Sequence, residues 1–546
     1  MAYDSEKEAY KVDEGVAAEQ RAEQDENLAH THDGEFGTKR DLTPRVVSMI
    51  AIAGTIGTGL FLGSGAALTL GGPVGAWLAY LIMGILVCGM MYSLGEMTCF
   101  APNVGGFIEM GTRYVDPAFG FMMGINYILQ TGLTFPGELS AIAILISYWD
   151  DNSKHAGAYI TAFLIATMLM NVVGVKYYGE IEFVFAVIKI TMLIALILFG
   201  LVANLGGIPP KREYIGGRFW RDEPFNDSFM DLKPVSLSRF LGFWAVFTKA
   251  AFSYLGIEAI AVLAGEAHNP RQTMRMAVRT VFYRIVGIYV IAILIIGLTV
   301  SQHSPELLHA VQLGGQTAAS SPFVVICIQM GVKVFPSVIN AVVITSALSC
   351  GNENVYALSR TLMALAKQGY APKIFLTTDK RGVPLAGVLV AMAFGLLSYL
   401  SLSKGSNQAF LWLTNLSALS TLVGWVSICY CFVRFKKALE LQGIDRRKLI
   451  LRSWFQPYMA WTCISFFSLV LFFNGFTNFI HKFDAKGFVA SYITMPVIAV
   501  AYVGFKLWTR SKVVRLDEID LSNGPAEALA GTRYDRNASM FVPSPK

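Results

Sequence analysis

Apolar segments of roughly 20 residues recur along the chain, separated by shorter polar stretches. A helix of this length crosses the hydrocarbon core of a lipid bilayer. Twelve segments are predicted to be transmembrane helices: 46–70, 74–98, 119–149, 156–175, 182–205, 239–265, 280–300, 321–350, 384–403, 408–432, 455–478 and 487–508. Hydrophobic residues make up 54% of the 546 residues and charged residues 15%, a balance that a soluble protein could not bury. The predicted fold class is an all-α polytopic membrane protein.

Charge in the loops predicts the orientation of these helices. Lysine and arginine concentrate in alternate loops, within 271–284, 360–381 and 434–448. Loops rich in positive charge stay on the cytosolic side of a membrane. An even number of crossings returns the chain to its starting side. Both tails, an acidic disordered one over 1–45 and a second over 509–546, are therefore expected in the cytosol. The loop 206–238 is expected outside the cell.

Two interrupted helices predict an internal inverted repeat. After five crossings the chain lies on the opposite side of the membrane from where it began. The five-helix halves 46–205 and 239–432 would therefore be inverted copies of each other, and two further helices follow within 433–508. The first and sixth helices are then counterparts. Both are interrupted at matching depth, by GTIGTGLF (54–61) and FSYLGIEA (252–259). The alternative for each is a packing face, because small residues let membrane helices approach closely.

Opened backbone at the two interruptions would create a site for a zwitterion. Amides freed at Thr58 and Gly59, at the N-terminus of a half-helix, suit a carboxylate. Carbonyls freed at Thr55, Phe252 and Leu255 suit an ammonium group. A ligand that carries both charges is predicted.

Longer motifs extend this pattern over most of the chain, among them GTIGTGLFLGSG, SLGEM, GELSA, VKYYGEIEF, AAFSYLGIEAIAVLAGEAHNPR and ALSCGNENVYALSRTLMALAKQGYAPK. In order and spacing they resemble the fungal amino-acid permeases, the yeast amino acid transporter branch of the amino acid–polyamine–organocation superfamily. The resemblance implies a LeuT-like fold, a 5+5 inverted repeat plus two helices. It also implies proton-driven uptake of amino acids across the plasma membrane.

By position, the resemblance assigns substrate contacts to both interruptions. Phe252 matches an aromatic residue that closes over substrate in relatives. The other matched residues form the family's carboxylate-binding turn or supply carbonyls to the amino group: Gly57, Thr58 and Gly59 for the turn, Thr55 and Leu255 for the carbonyls.

Lys189 is the candidate proton-coupling residue. In FVFAVIKITML it resembles a fifth-helix lysine that takes the place of sodium in proton-coupled relatives. Its ammonium either extends toward the cytosolic interface or lies desolvated, where it can release and regain a proton during transport. The second alternative is favoured. Protons are then the coupling ion, and no other cofactor or metal is expected.

Two acidic residues inside predicted helices are further candidates. Glu138, in LTFPGELSA, must be paired or protonated, either as a structural hydrogen-bond partner or as a substrate contact or proton carrier. Glu258 lies in the second interruption, where it either contacts substrate or satisfies the amides that the break frees.

Lys249 is the main candidate for substrate specificity, at a position that is more often small or uncharged in the family. It should repel cationic side chains, or else pair with Glu138. This favours neutral substrates. Thr414 and Ser417, in the tenth helix, are further candidates for the side-chain pocket.

These features predict a proton-coupled secondary transporter that imports neutral L-amino acids of fairly broad range by alternating access. A narrow permease, for example for proline or basic amino acids, and a non-transporting sensor of the same fold are the alternatives. A channel and an enzyme are disfavoured, since the pattern contains paired broken helices and no nucleophile–base or metal-ligand spacing. Expected partners are the lipid bilayer and ubiquitin ligase machinery on the cytosolic tails. The net charge of +6 lies mainly in membrane-flanking loops and indicates no nucleic-acid partner.

Overall fold

The protein is built from α-helices that pack around two interrupted ones. A computed structural model describes residues 43–50, 56–102, 106–150, 152, 154–209, 212–263, 267, 270–312, 321–402, 406–453, 455–525 and 529. The regular secondary structure of these residues is helical throughout.

The helices are numbered along the chain. The first eight are α1 (Pro44–Met49), α2 (Thr58–Phe61), α3 (Gly63–Phe100), α4 (Gly106–Tyr114), α5 (Pro117–Ile146), α6 (Ala156–Val172), α7 (Val175–Asn204) and α8 (Arg218–Asp222). The next nine are α9 (Val235–Tyr254), α10 (Ile260–Leu263), α11 (Pro270–Arg284), α12 (Ile291–Thr299), α13 (Pro305–Gln312), α14 (Pro322–Gln329), α15 (Phe335–Lys367), α16 (Leu385–Gly395) and α17 (Ser406–Leu441). The last three are α18 (Tyr458–Phe473), α19 (Ala485–Tyr492) and α20 (Thr494–Thr509).

Shorter helical segments connect some of these helices. A π-helical turn, Ile285–Val290, joins α11 to α12. The 3₁₀ segments are Phe229–Asp231, Ile257–Ala259, Lys373–Leu376, Leu396–Leu402, Arg446–Lys448 and Phe476–Phe479.

Twelve membrane crossings are consistent with these helices. In the described ranges, nine helical runs are long and apolar enough to span a bilayer, and α19 with α20, bent by 42° at their junction, make a tenth. The 38 residues of α3 would extend about 57 Å, too far for one crossing, and the non-helical residue Gly72 divides α3 into two. The apolar helix α6, of 17 residues, supplies the last crossing. The predicted all-α polytopic fold is confirmed.

The break at Gly72 forms the turn between the first two crossings, and the loop 206–238 packs against it. Gly72 has a φ of 75°, and a Cβ added there would lie 2.7 Å from the Cα of Phe225. The side-chain amide of Asn226 donates a hydrogen bond to the Thr69 carbonyl at 2.7 Å. Positive φ and close backbone approach both require glycine at this turn. The turn and the loop therefore lie on the same side of the membrane.

Four predicted spans have wrong boundaries: the seventh, 280–300, begins at Pro270 with α11, the tenth, 408–432, ends at Leu441 with α17, and the fifth and eighth also differ. The predicted fifth span, 182–205, begins at Val175 in the structure, so Glu182 lies inside α7 rather than at its edge. The predicted eighth span, 321–350, is two helices, α14 and α15, separated by a turn in which Gly331 has a φ of 74°. A helix predicted from its apolar residues ends too early where its polar side chains are buried between helices.

The interrupted helices occupy the centre of the bundle. The long helix α5 packs along α15 and α17, while α9 packs along α3. The short helix α2 contacts both α9 and α15. The first interruption therefore lies between the two halves of the predicted repeat.

A buried ion pair joins helices at the end of the bundle that is predicted to face the cytosol. Glu96, near the end of α3, is 1% exposed. The Arg446 guanidinium donates to its two carboxylate oxygens, with Nε at 2.5 Å and Nη2 at 2.7 Å. The backbone amide of Ser453 donates to the same carboxylate at 2.8 Å. This ion pair connects α3 to the segment between α17 and α18.

Replacing one member of this pair should destabilise the protein. Glu96→Ala leaves the Arg446 guanidinium without its carboxylate, a change that costs about 3 kcal/mol in buried pairs. We expect the apparent melting temperature in detergent to fall by several degrees. Glu440→Ala is the control, because it removes a carboxylate that is 62% exposed and paired with Lys436. Equal shifts for the two variants would contradict a stabilising role for the buried pair.

Candidate functional site

A carboxylate from α5 closes the first interruption. Gly57 has extended backbone, and α2 begins at the next residue, Thr58. The Thr58 amide donates to both carboxylate oxygens of Glu138 at 3.3 Å, and the Thr58 hydroxyl donates to Oε1 at 3.2 Å. The sequence predicted an open amide at Thr58. The structure corrects this, because a buried amide without a partner is costly and Glu138 satisfies it. Thr55 lies outside the described residues.

Helix α15 encloses the other side of this interruption. The Ser346 hydroxyl donates to the Ile56 carbonyl at 2.7 Å, which satisfies a group that the break leaves outside a helix. A Cβ added to Gly57 would lie 2.8 Å from the Sγ of Cys350 and would also meet the Glu138 carboxylate. Glycine at position 57 is therefore required by the close approach of α5 and α15.

The second interruption lies directly against the first. After α9, Gly256 takes a φ of 85° and starts the 3₁₀ segment Ile257–Ala259, which confirms the predicted break in the sixth helix. The Ser253 hydroxyl donates to the Gly59 carbonyl at 2.8 Å. A Cβ added to Gly59 would lie 2.8 Å from the Cα of Ser253. The two breaks therefore touch through a hydrogen bond and a backbone contact.

Glu258 stabilises the second interruption. Its carboxylate accepts hydrogen bonds from the side-chain amide of Gln130 and, at 3.0 Å, from Nε1 of Trp425. The backbone amide of Gly256 also donates to it. Glu258 is 1% exposed. These partners correspond to the structural alternative, in which the carboxylate satisfies the amides freed by the break.

Phe252 and Leu255 lie where the two interruptions meet. The Leu255 amide donates to the Phe252 carbonyl at 3.3 Å, so a carbonyl predicted to be open already accepts one hydrogen bond. The Phe252 ring borders Gly59, with its Cδ1 at 3.2 Å from a Cβ added there. An aromatic ring therefore covers the start of α2.

Lys189 lies near the middle of α7 and has no exposed surface. A fully enclosed side chain cannot extend to the membrane interface, so the snorkelling alternative is wrong. Its ammonium is within electrostatic range of three carboxylates, those of Glu138, Glu182 and Glu353. Lys189 therefore interacts with the acid that closes the first interruption.

The predicted specificity residues lie on α9 and α17. Lys249 is half-buried, and its ammonium makes no hydrogen bond or ion pair to a described residue. The alternative pairing with Glu138 does not form. Thr414 lies beside α5, with its methyl group 3.9 Å from a Cβ added to Gly137. Ser417 has no exposed surface. Both hydroxyls donate to carbonyls one turn earlier in α17, at 3.1 Å and 2.8 Å.

Comparison with known proteins identifies the family. Residues 46–518 match the family described as amino acid permease. The chain belongs to this family. A dicarboxylic amino acid permease of Saccharomyces cerevisiae is 37% identical to this permease over 485 residues, which cover 88% of the chain and 79% of the relative. A general amino-acid permease of the same yeast is 36% identical over 497 residues, or 90% of the chain and 81% of the relative.

A third relative differs again in its named substrate. A proline-specific permease of Emericella nidulans is 36% identical over 494 residues, which cover 90% of the permease and 89% of the relative. The predicted resemblance is confirmed. Because relatives of nearly equal identity carry different substrate names, family membership identifies an amino-acid permease without identifying its amino acid.

Sequence reasoning missed two buried acids. Glu182 accepts hydrogen bonds from Ser349 at 2.5 Å and from Asn352 at 2.7 Å, and it has no exposed surface. Glu353, on α15, is 3% exposed. One signal was available, because Glu182 precedes Lys189 by two helical turns and so lies on the same face of α7.

The two enclosed glycines of the first interruption should be essential for transport by the permease. Gly57→Val and Gly59→Val place side-chain atoms where Cys350 and the Ser253 backbone already lie, so we expect uptake to fall below a tenth of the wild-type rate. Radiolabelled amino-acid uptake, normalised to the amount of protein at the cell surface, measures this. Gly504→Val in α20 is the control, because nothing lies within 4 Å of a Cβ added there. Normal transport by either test variant would show that transport does not require the close packing at that glycine.

Proposed function

We propose that this permease is a proton-coupled secondary transporter that imports L-amino acids, mainly neutral ones of fairly broad range, by alternating access. The contact between the Glu138 carboxylate and the Thr58 amide is the observation that supports this most directly. The α-carboxylate of an amino acid would need the same amide at the start of α2, with Gly57 and Gly59 as its neighbours.

Competition for this amide would couple substrate binding to a proton. Two carboxylates in contact repel each other, so an anionic Glu138 keeps a substrate carboxylate away from Thr58. Protonation of Glu138 removes its charge and releases the amide. The amino acid then enters with one proton. When both leave on the cytosolic side, the Glu138 carboxylate returns to Thr58, which resets the site.

Lys189 supports the choice of protons over sodium. While Lys189 is charged, its positive charge in this buried region disfavours the binding of a second cation such as sodium. Its field also acts on Glu138, so a change in the charge of Lys189 during the cycle would change the tendency of Glu138 to hold a proton. We therefore assign proton coupling to Lys189 and Glu138 together.

Lys249 supports the proposed substrate class. Its half-buried ammonium, without a partner among the described residues, would repel a lysine or arginine side chain in the same cavity. One of the relatives is a general amino-acid permease, and the proposed broad range is compatible with that relative. Thr414, which lies beside Gly137, and Ser417 are the proposed pocket residues on α17.

The proposed setting is the plasma membrane, with both termini in the cytosol. The distribution of lysine and arginine among the loops supports this orientation. Ubiquitin ligase machinery is a proposed partner of the tails, where Lys7 and Lys11 are the candidate acceptors; both lie outside the described residues.

Uptake of radiolabelled amino acids into a fungal strain that lacks its own permeases tests this function. We expect accumulation of neutral amino acids that a protonophore abolishes and that replacement of sodium by potassium does not change. A competition panel of the common amino acids should show competition by neutral members and little by lysine or arginine. Absence of uptake would favour the sensor, uptake without accumulation would favour a channel, and dependence on sodium would contradict proton coupling.

Lys189→Ala should separate coupling from binding. Without the buried ammonium, we expect concentrative uptake to be lost while exchange of internal for external substrate survives. Both activities can be measured in the same cells. Lys380→Ala, in an exposed loop, is the control and should behave as wild type. If Lys189→Ala still accumulates substrate in a protonophore-sensitive way, Lys189 is not a coupling residue and Glu138 carries that role alone.

A further inference from the structure

Glu353 is a buried acid with an unusual lack of partners. It is 3% exposed, and neither of its carboxylate oxygens has a hydrogen-bond partner in the part of the chain that the structure describes. The other buried acids are bonded as follows: Glu96 to Arg446 and Ser453, Asp116 to Lys506 and Tyr502, Glu138 to Thr58, Glu182 to Ser349 and Asn352, and Glu258 to Gln130 and Trp425. Among the buried acids of the described residues, Glu353 is therefore the one whose carboxylate makes no hydrogen bond.

Charged groups surround Glu353 without bonding to it. Lys189 and Arg284 are the cations within electrostatic range, and Glu182 and Glu258 are the anions. The Arg284 side chain is 1% exposed, with its guanidinium 5.6 Å from the centre of the Tyr289 ring. The remaining titratable groups that face Glu353 are the Cys350 thiol and the hydroxyls of Tyr127, Tyr178 and Tyr289.

This arrangement is compatible with a neutral, protonated Glu353 carboxyl group and unfavourable for its ionised form. Removing an ionised carboxylate from water without giving it hydrogen bonds is strongly unfavourable, and a buried carboxyl group in that position takes up a proton instead. The described surroundings of Glu353 therefore favour the neutral acid in this conformation.

A conformation that places Arg284 against Glu353 would favour the anion, and Arg284 adjoins an irregular turn. Arg284 is the last residue of α11, and the π-helical turn Ile285–Val290 follows it directly. Such turns interrupt the regular helical hydrogen bonds and are frequent at functional sites. A change of conformation at this turn would move the Arg284 guanidinium, which already lies within electrostatic range of Glu353.

We propose that Glu353 is a second proton-binding group of the transport cycle, neutral in this conformation and ionised against Arg284 when the cytosolic pathway opens. In that step the O–H bond of the acid breaks, the proton passes to cytosolic water, and the electron pair stays on the carboxylate. The inference rests on the proposed proton-coupled import and adds a carrier that the pair Glu138 and Lys189 does not include.

The number of protons moved with each amino acid tests this inference. The purified permease is placed in liposomes, and the ratio is obtained from the membrane potential at which net flux of the best neutral substrate of the uptake panel stops. Glu353→Gln retains the size of the neutral acid but cannot release a proton. Glu353→Asp retains the carboxyl group. Glu440→Gln makes the same chemical change at an exposed site and is the matched control.

We expect the ratio to fall by one proton in Glu353→Gln and to keep its wild-type value in Glu353→Asp and Glu440→Gln. A wild-type ratio in Glu353→Gln would overturn the inference and leave the proposed function intact. If Glu353→Gln shows no net uptake, exchange of substrate across the liposome is measured. Surviving exchange supports the inference, whereas equal loss of exchange overturns it, because a purely structural role would abolish both. A wild-type ratio of zero would contradict the proposed function itself and the inference with it.

Discussion

The hydrogen bonds from Thr58 to Glu138 are the contact on which the rest of the site depends. A transmembrane helix can open only where other groups satisfy the backbone that it frees, because no water is present to do so. At the first interruption Glu138 and Ser346 supply those groups from α5 and α15. At the second, Glu258 receives the amide of Gly256 while Gln130 and Trp425 hold its carboxylate.

The same requirement connects structure to transport. A backbone group that is satisfied by a side chain can be satisfied by a ligand instead, provided that the side chain withdraws. Glu258 is held by three groups from three parts of the chain, which suits a permanent structural role. Glu138 is held mainly by Thr58, the group that a substrate carboxylate would need. In the proposed mechanism a proton withdraws Glu138 from this contact, and this step would link the two breaks to the proton gradient.

The sequence was sufficient for features that are local along the chain. Apolar length predicts the crossings, and clustered glycines with polar residues predict the two breaks. The sequence could not show which buried side chains bond to each other, because this depends on how helices that are distant along the chain pack. Glu138 was a candidate acid, for example, but its hydrogen bond to Thr58 joins residues 80 positions apart. The eighth span was misplaced for a related reason, since polar residues such as Asn352 are buried by bonding to other buried groups. Glu353 was not a candidate because it lies beyond residue 350, the predicted end of the eighth span.

The pH dependence of substrate binding to Glu138→Gln tests the account most directly. Binding of a radiolabelled neutral substrate to purified permease is measured without any gradient, so that transport plays no part. If each bound amino acid requires a protonated Glu138, wild-type affinity should fall by up to about tenfold per pH unit above the pH at which this acid ionises. Glu138→Gln should bind with little change across the same range. Equal pH dependence in both proteins, or none in wild type, would contradict competition for the Thr58 amide.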